Sequence, residues 1–147
     1  MAITVPGLYG PTLEKIFIDT AGESLEAEDN KVLLVTDSYT PNFDTHDFRD
    51  DITNEIGSGG GYTTGGNAIT GTEVTFTSSV LTFDATDVAW SSSTITNAMG
   101  AVGYFNVGSS ATDQLVWLSD FVTAVSTTGG TLTIVWHASG IFTLDYY

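Results

Sequence analysis

The sequence has no cysteine and only three basic side chains, Lys15, Lys31 and Arg49, against 18 Asp and Glu. Each shortage closes off some chemistry. Without cysteine there is no disulfide, no thiolate metal site and no thiol nucleophile. A nucleic-acid backbone is bound by neutralising its phosphates with Lys and Arg. With a formal net charge of −15, this chain would repel one instead. An anionic membrane surface is disfavoured on the same ground. No run of about 18 apolar residues occurs, so no segment reads as a membrane-spanning helix. Met1 to Gly10 has neither the basic start nor the apolar run of a secretory leader.

What is present argues for a folded body. The length of 147 residues fits one domain, 1–147, of which residues 1–30 are the least defined part. A domain of this size can bury about 68–70% of the surface its unfolded chain exposes. The composition supplies that core, with 41% hydrophobic and 12% aromatic residues. High net charge favours disorder in chains poor in aromatic and β-branched residues; this chain is rich in both. Ser and Thr number 37 and glycine 16, which provides many turns.

Hydrophobic periodicity divides the chain. Leu8, Leu13, Ile16 and Phe17 are spaced like one helix face, with Pro11 suited to a first turn, although Ile16 to Ile18 also reads as a strand start. Lys31 to Ser38 reads as a strand with apolar residues on both faces, hence a covered central one. Asp44 to Ile56 has helical spacing, with Asp44 or Thr45 placed to cap it. Residues 57–66 include six glycines and read as a structural turn region. From Asn67 onward the pattern is β throughout. Strands are expected at 68–77, 80–83, 84–90, 98–107, 115–122, 131–137 and 141–147, with a hairpin-type turn at Thr127 to Gly130. Strands at this spacing, split by Gly, Ser and Thr, predict an all-β antiparallel sandwich, Ig-like or jelly-roll-like. One or two short helices are expected in its N-terminal third. A closed barrel is the nearest alternative.

Several constellations of residues could carry chemistry. On a helix, Asp47, Asp51 and Glu55 would share one face and form candidate ligands for calcium, which takes several oxygen donors. The segment lacks the alternating Asp-x-Asp-x-Asp-Gly of an EF-hand, and its plainer reading is a solvated face behind Phe48 and Ile52. Asp84 with Asp87, and Asp113 with Asp120, are the carboxylate pairs to try for glycoside hydrolysis; both fit better as strand-end and turn residues. His46 and His137 are the available bases, yet no Gly-x-Ser-x-Gly elbow surrounds a serine. The glycine-rich run lacks the Gly-Lys-Ser/Thr ending of a phosphate loop. Trp90, Trp117 and Trp136 could stack on sugars, but large aromatics on alternating strands are more often core.

The order of segments is informative. KVLLVTDSYTPNFDTHDFRDDITNEIGSGGGYTTGGNAIT, residues 31–70, resembles a family of small structural proteins of tailed bacteriophages. The shared pattern is a strand ending in Thr, a Tyr-Thr-Pro turn, an Asp-rich segment with a His, then Glu, Gly-Tyr-Thr and Gly-Gly. The likeness continues through LTFDATDVAWSSSTITNAMGAVGYF, residues 81–105, and TLTIVWHASGIFTLDYY, residues 131–147. The three glycines before Tyr62 depart from it, and residues 1–30 match only loosely.

The resemblance implies a virion component with no enzymatic role, no catalytic residue and no cofactor. The favoured expectation is a capsid decoration, or cement, protein on the capsid exterior. Its partners would be the major capsid protein or another virion protein, and it would form a homo-oligomer. A neck, tail or fibre-attachment protein touching another virion protein or a host glycan is the alternative. An acidic chain suits the outer shell better than packaged DNA. Tyr39, Pro41 and Phe43 of the aromatic turn, and Tyr62 of the glycine-rich loop, are the expected docking residues.

Overall fold

A computed structural model describes residues 7–9 and 24–145. Of the possible helix over Leu8 to Phe17, Leu8 is in a strand and residues 10–17 lie outside that set, as do the chain's last two residues. Within it the chain is almost entirely β, and every pairing is antiparallel. The strands are β1 (Gly7–Leu8), β2 (Lys31–Thr36), β3 (Asn67–Ala68), β4 (Glu73–Thr77), β5 (Val80–Asp84), β6 (Val88–Ser93), β7 (Ala98–Tyr104), β8 (Leu115–Val125), β9 (Gly130–Ile134) and β10 (Phe142–Asp145). They form a five-stranded sheet in the order β1-β8-β7-β2-β3, a three-stranded sheet β10-β5-β4 and a two-stranded sheet β6-β9.

The five-stranded sheet is buried on both faces, as the apolar run in β2 leads one to expect. Val32 and Leu34 point to one core, and Leu33 and Val35 to the other, because successive strand residues alternate. The first core joins all three sheets, with Phe83 from β5, Trp90 from β6, Trp117 from β8, and Leu132 and Ile134 from β9. Every residue of β7 is buried. Its small residues make room for large ones: a side chain at Gly103 would run into the Trp117 ring. Val88 with Trp90, and Leu132 with Ile134, face inward as their alternation requires.

Three expectations need correction. Residues 44–56 form no α-helix; the only helical turn there is a single 3-10 turn, Arg49–Asp51. Helical spacing alone did not suffice, since the backbone of this segment bonds to neighbouring segments instead. Arg49 N–H donates to the Asp113 carbonyl, Asp50 N–H to that of Ser110, and Leu115 N–H to that of Asp47. The strand expected over 68–77 is broken into β3 and β4 around Gly71, whose φ is +61°. The turn at 127–130 is not a hairpin. It carries the chain from β8 in one sheet to β9 in another, where β9 pairs with β6.

Candidate functional site

The second core contains Tyr9, Leu33, Val35, Tyr39, Met99, Val102, Tyr104, Leu115 and Leu118, with Phe43 and Ile52 packed against it. Residues 37–52 bring Tyr39 and Phe43 to this side of the molecule, whereas Ile56 and Tyr62 belong to the first core, the Tyr62 ring 5.9 Å from that of Trp90. This irregular covering must satisfy its own backbone groups without a ladder, and side chains do much of that work.

Asp113 is the hub. It is fully buried, and its Oδ1 accepts the backbone N–H groups of Val107, Gly108 and Ser109 at 2.9, 3.0 and 3.2 Å. Its Oδ2 accepts Arg49 Nε–H at 2.8 Å. Burial works against the Arg49 charge, but the bond to Asp113 together with the fields of Tyr104, Asp113 and Glu55 outweighs it and raises the pKa. The guanidinium also sits 5.3 Å from the centre of the Tyr104 ring, within cation–π range. Tyr104 in turn donates its hydroxyl to the Gly65 carbonyl at 2.7 Å.

Glu55 ties down the glycine-rich loop. Its Oε1 accepts Gly65 N–H at 2.6 Å and the Tyr62 hydroxyl at 2.8 Å. Tyr62 accepts the Leu34 N–H of β2 at 3.0 Å, so one phenol links loop, carboxylate and sheet. Burial pushes the Glu55 carboxyl above the usual carboxylate range, although both hydrogen bonds and Arg49 oppose the shift. Burial likewise drives the Tyr62 phenol well above its ordinary value. The backbone comes so close at Gly66, φ +70°, that a Cβ there would collide with the Val32 carbonyl.

A third chain of bonds runs Tyr9 to Tyr39 to His46. The two hydroxyls are 2.9 Å apart, and Tyr39 lies 2.9 Å from His46 Nδ1. Burial pushes Tyr39 up to about 12, and Tyr9 higher still. Nearby, Asp51 Oδ2 accepts the N–H groups of Asp47 and Phe48. Burial opposes ionisation, but these bonds together with the field of His46 outweigh it and hold the Asp51 carboxyl below its ordinary range.

The docking and metal expectations change accordingly. Tyr39 and Tyr62 are core residues, 0% and 2% exposed, and cannot meet a partner directly. Phe43 is half-buried, its ring 5.2 Å from that of Tyr9; Pro41 is half-buried beside it in sequence. The buried rings of Tyr39 and Tyr62 anchor their segments to the body, while Pro41 and Phe43 keep part of their surface exposed. Asp47, Asp51 and Glu55 share no helix face because there is no helix. The Asp51 carboxylate caps its own turn, while Glu55 bonds the glycine-rich loop. Among the described residues, no group of three or more His, Asp or Glu is placed to hold a metal ion.

The other carboxylates considered for glycoside hydrolysis each accept a backbone N–H. Asp84 accepts Ala85 N–H, Asp87 accepts Trp136 N–H and Asp120 accepts Val122 N–H. His137 Nδ1 accepts Ser139 N–H. Trp90 and Trp117 are buried, so the three indoles do not form an exposed sugar platform.

Sequence reasoning missed Asp113 as the central residue. A signal existed: Arg49 is the chain's sole arginine, and it stands in an acidic run, Asp47-Phe48-Arg49-Asp50-Asp51, that marks it for a carboxylate partner. Choosing that partner among 18 acidic residues required the fold. Comparison with protein-family models, curated proteins and solved structures found no match.

Proposed function

We propose that this chain is a structural protein of a bacteriophage virion, a capsid decoration protein that binds the outer capsid surface and stabilises capsomer junctions. In this reading the two cores are those of an antiparallel β-sandwich with an irregular cover on one outer face. The observation that carries the proposal is the use made of the motif residues in the phage-like segment 31–70. Tyr39, His46, Glu55, Tyr62 and Gly65 all serve to fix that segment to the sheet. The motif thus reads as the signature of a rigid body. Such a body suits a protein whose work is to add interface area between neighbours.

The charge distribution supports an external position. A surface at −15 stays soluble before assembly and repels packaged DNA. An electron-microscopy map of the whole particle tests the reading. Density for this chain over capsomer junctions is the expected result. Density at the neck, tail or fibre would replace the decoration role with the attachment role. Absence from purified particles would overturn both.

A further inference from the structure

We infer that β9 is a seam along which two copies of this chain pair edge to edge, antiparallel, about a two-fold axis near Thr133. The inference rests on the proposed function only for its expectation of a homo-oligomer.

β9 bonds to β6 along one edge, and among the described residues no strand pairs with the other. Exposed strand edges invite pairing, so proteins block them with charge, proline, brevity or a covering segment. The other outer strands follow that rule. β1 and β3 are two residues long. β4 begins at Glu73, and its Val74 N–H is taken by the Glu26 carboxylate. β10 carries Asp145. On β6, the Ala89 carbonyl is capped by the Asn67 side chain. Residues 130–135, Gly-Thr-Leu-Thr-Ile-Val, have no charge and no proline.

The surroundings of β9 point the same way. A groove of about 640 Å³ runs beside it against the end of β8, and no residue lining it is charged. Val135 is 71% exposed, and Val122 and Val125 on β8 are 78% and 40% exposed. Val122 also has a φ of +63°, an outlying conformation for a β-branched residue.

Charge selects the occupant. A basic partner would be drawn to the acidic faces and would gain nothing from a neutral seam. A second copy, also at −15, is repelled at most approaches and can come close where charge is missing. A two-fold axis then sets the same row of Thr residues against itself, with the exposed valines at its margins.

Sedimentation velocity on the purified full-length chain, over a range of concentration and salt, tests this. A dimer is expected, and it should tighten as salt screens the repulsion between the two bodies. Thr133→Glu sets like charges face to face and should weaken association on the order of tenfold. Val135→Glu should act in the same direction through a more exposed side chain, while Thr75→Glu, exposed on β4, should leave the dimer unchanged. Near-ultraviolet circular dichroism checks that each variant is folded. A monomer under all conditions, a trimer, a dimer indifferent to both seam variants, or association that weakens with salt would each overturn the inference. None of these results bears on whether the chain is found in particles.

Discussion

The two faces of the five-stranded sheet are covered in different ways. One is covered by strands, with Phe83, Trp90, Trp117 and Ile134 packed together. The other is covered by segment 37–56, whose regular structure is one 3-10 turn. Strands bring their hydrogen bonds with them, so their inward side chains can be apolar. Among the described residues, buried side-chain N–H groups without a hydrogen-bond partner occur on Trp90 and Trp117 of that face, and also on Gln114, which bridges to Phe48 of the cover. An irregular cover leaves backbone donors to be satisfied one at a time. This explains the polar side chains of the second face, where Asp113 serves three N–H groups and Asp51 two; Glu55, bridged to Val35 of β2, serves one N–H together with the phenol of Tyr62 in the first core.

The contrast is broken most severely at Asp113. Asp113→Ala leaves Arg49 without its partner and three N–H groups without an acceptor. We expect a loss of about 3–5 kcal/mol in urea denaturation. Replacing both partners sharpens the point. An apolar substitute for an isolated buried ion pair is often neutral. Arg49→Met with Asp113→Leu should nevertheless remain strongly destabilised, because the 107–109 amides stay unpaired. Wild-type stability in the double variant would reduce Asp113 to a simple ion-pair partner.

Tyr39→Phe is the next step down. It keeps the ring in the core and removes the hydroxyl between Tyr9 and His46. Stranding the buried Tyr9 hydroxyl should cost about 1–3 kcal/mol by the same measurement. A cost near zero would mean that water replaces the lost group, and that the polar chain does not hold the cover.

The strand-covered face was the legible one. Alternation in 88–90 and 131–136, and the two-sided apolar run in β2, report burial directly because the side-chain period of a strand is fixed. The glycine-rich loop was also read correctly as structural, since close approach at Gly66 is what glycine permits. The irregular cover was illegible for a physical reason. Its apolar and acidic residues fall at helical spacing by composition, while its path is set by bonds to residues far along the chain, Arg49 to Asp113 above all. Residues 127–130 failed similarly: the turn chemistry was visible, but the sheet that the next strand would join was not.

The smallest expected effect separates the two carboxylates of the cover by sign. Glu55 has its folded pKa raised, so ionisation costs the folded chain more than the unfolded one. Its stabilising contribution is complete below the ordinary Glu value, about 4.3, and is lost as pH rises through the raised folded value. Asp51 is lowered, so its contribution is present above the ordinary Asp value and is lost as pH falls. Glu55→Gln keeps an oxygen that can accept from Tyr62 and Gly65 but removes the titration. Stability of this variant relative to wild type should therefore increase from about pH 4 to about pH 7. The gain should be on the order of 1 kcal/mol or less, since Glu55 is half-buried and solvent screens it. Asp51→Asn should show the opposite trend in a lower window, its stability relative to wild type falling as pH rises toward about 4 and levelling off above it. Parallel profiles for wild type and Glu55→Gln would mean that Glu55 titrates alike in both states. Its bonds to the glycine-rich loop would then contribute to geometry while leaving the pH dependence of stability untouched.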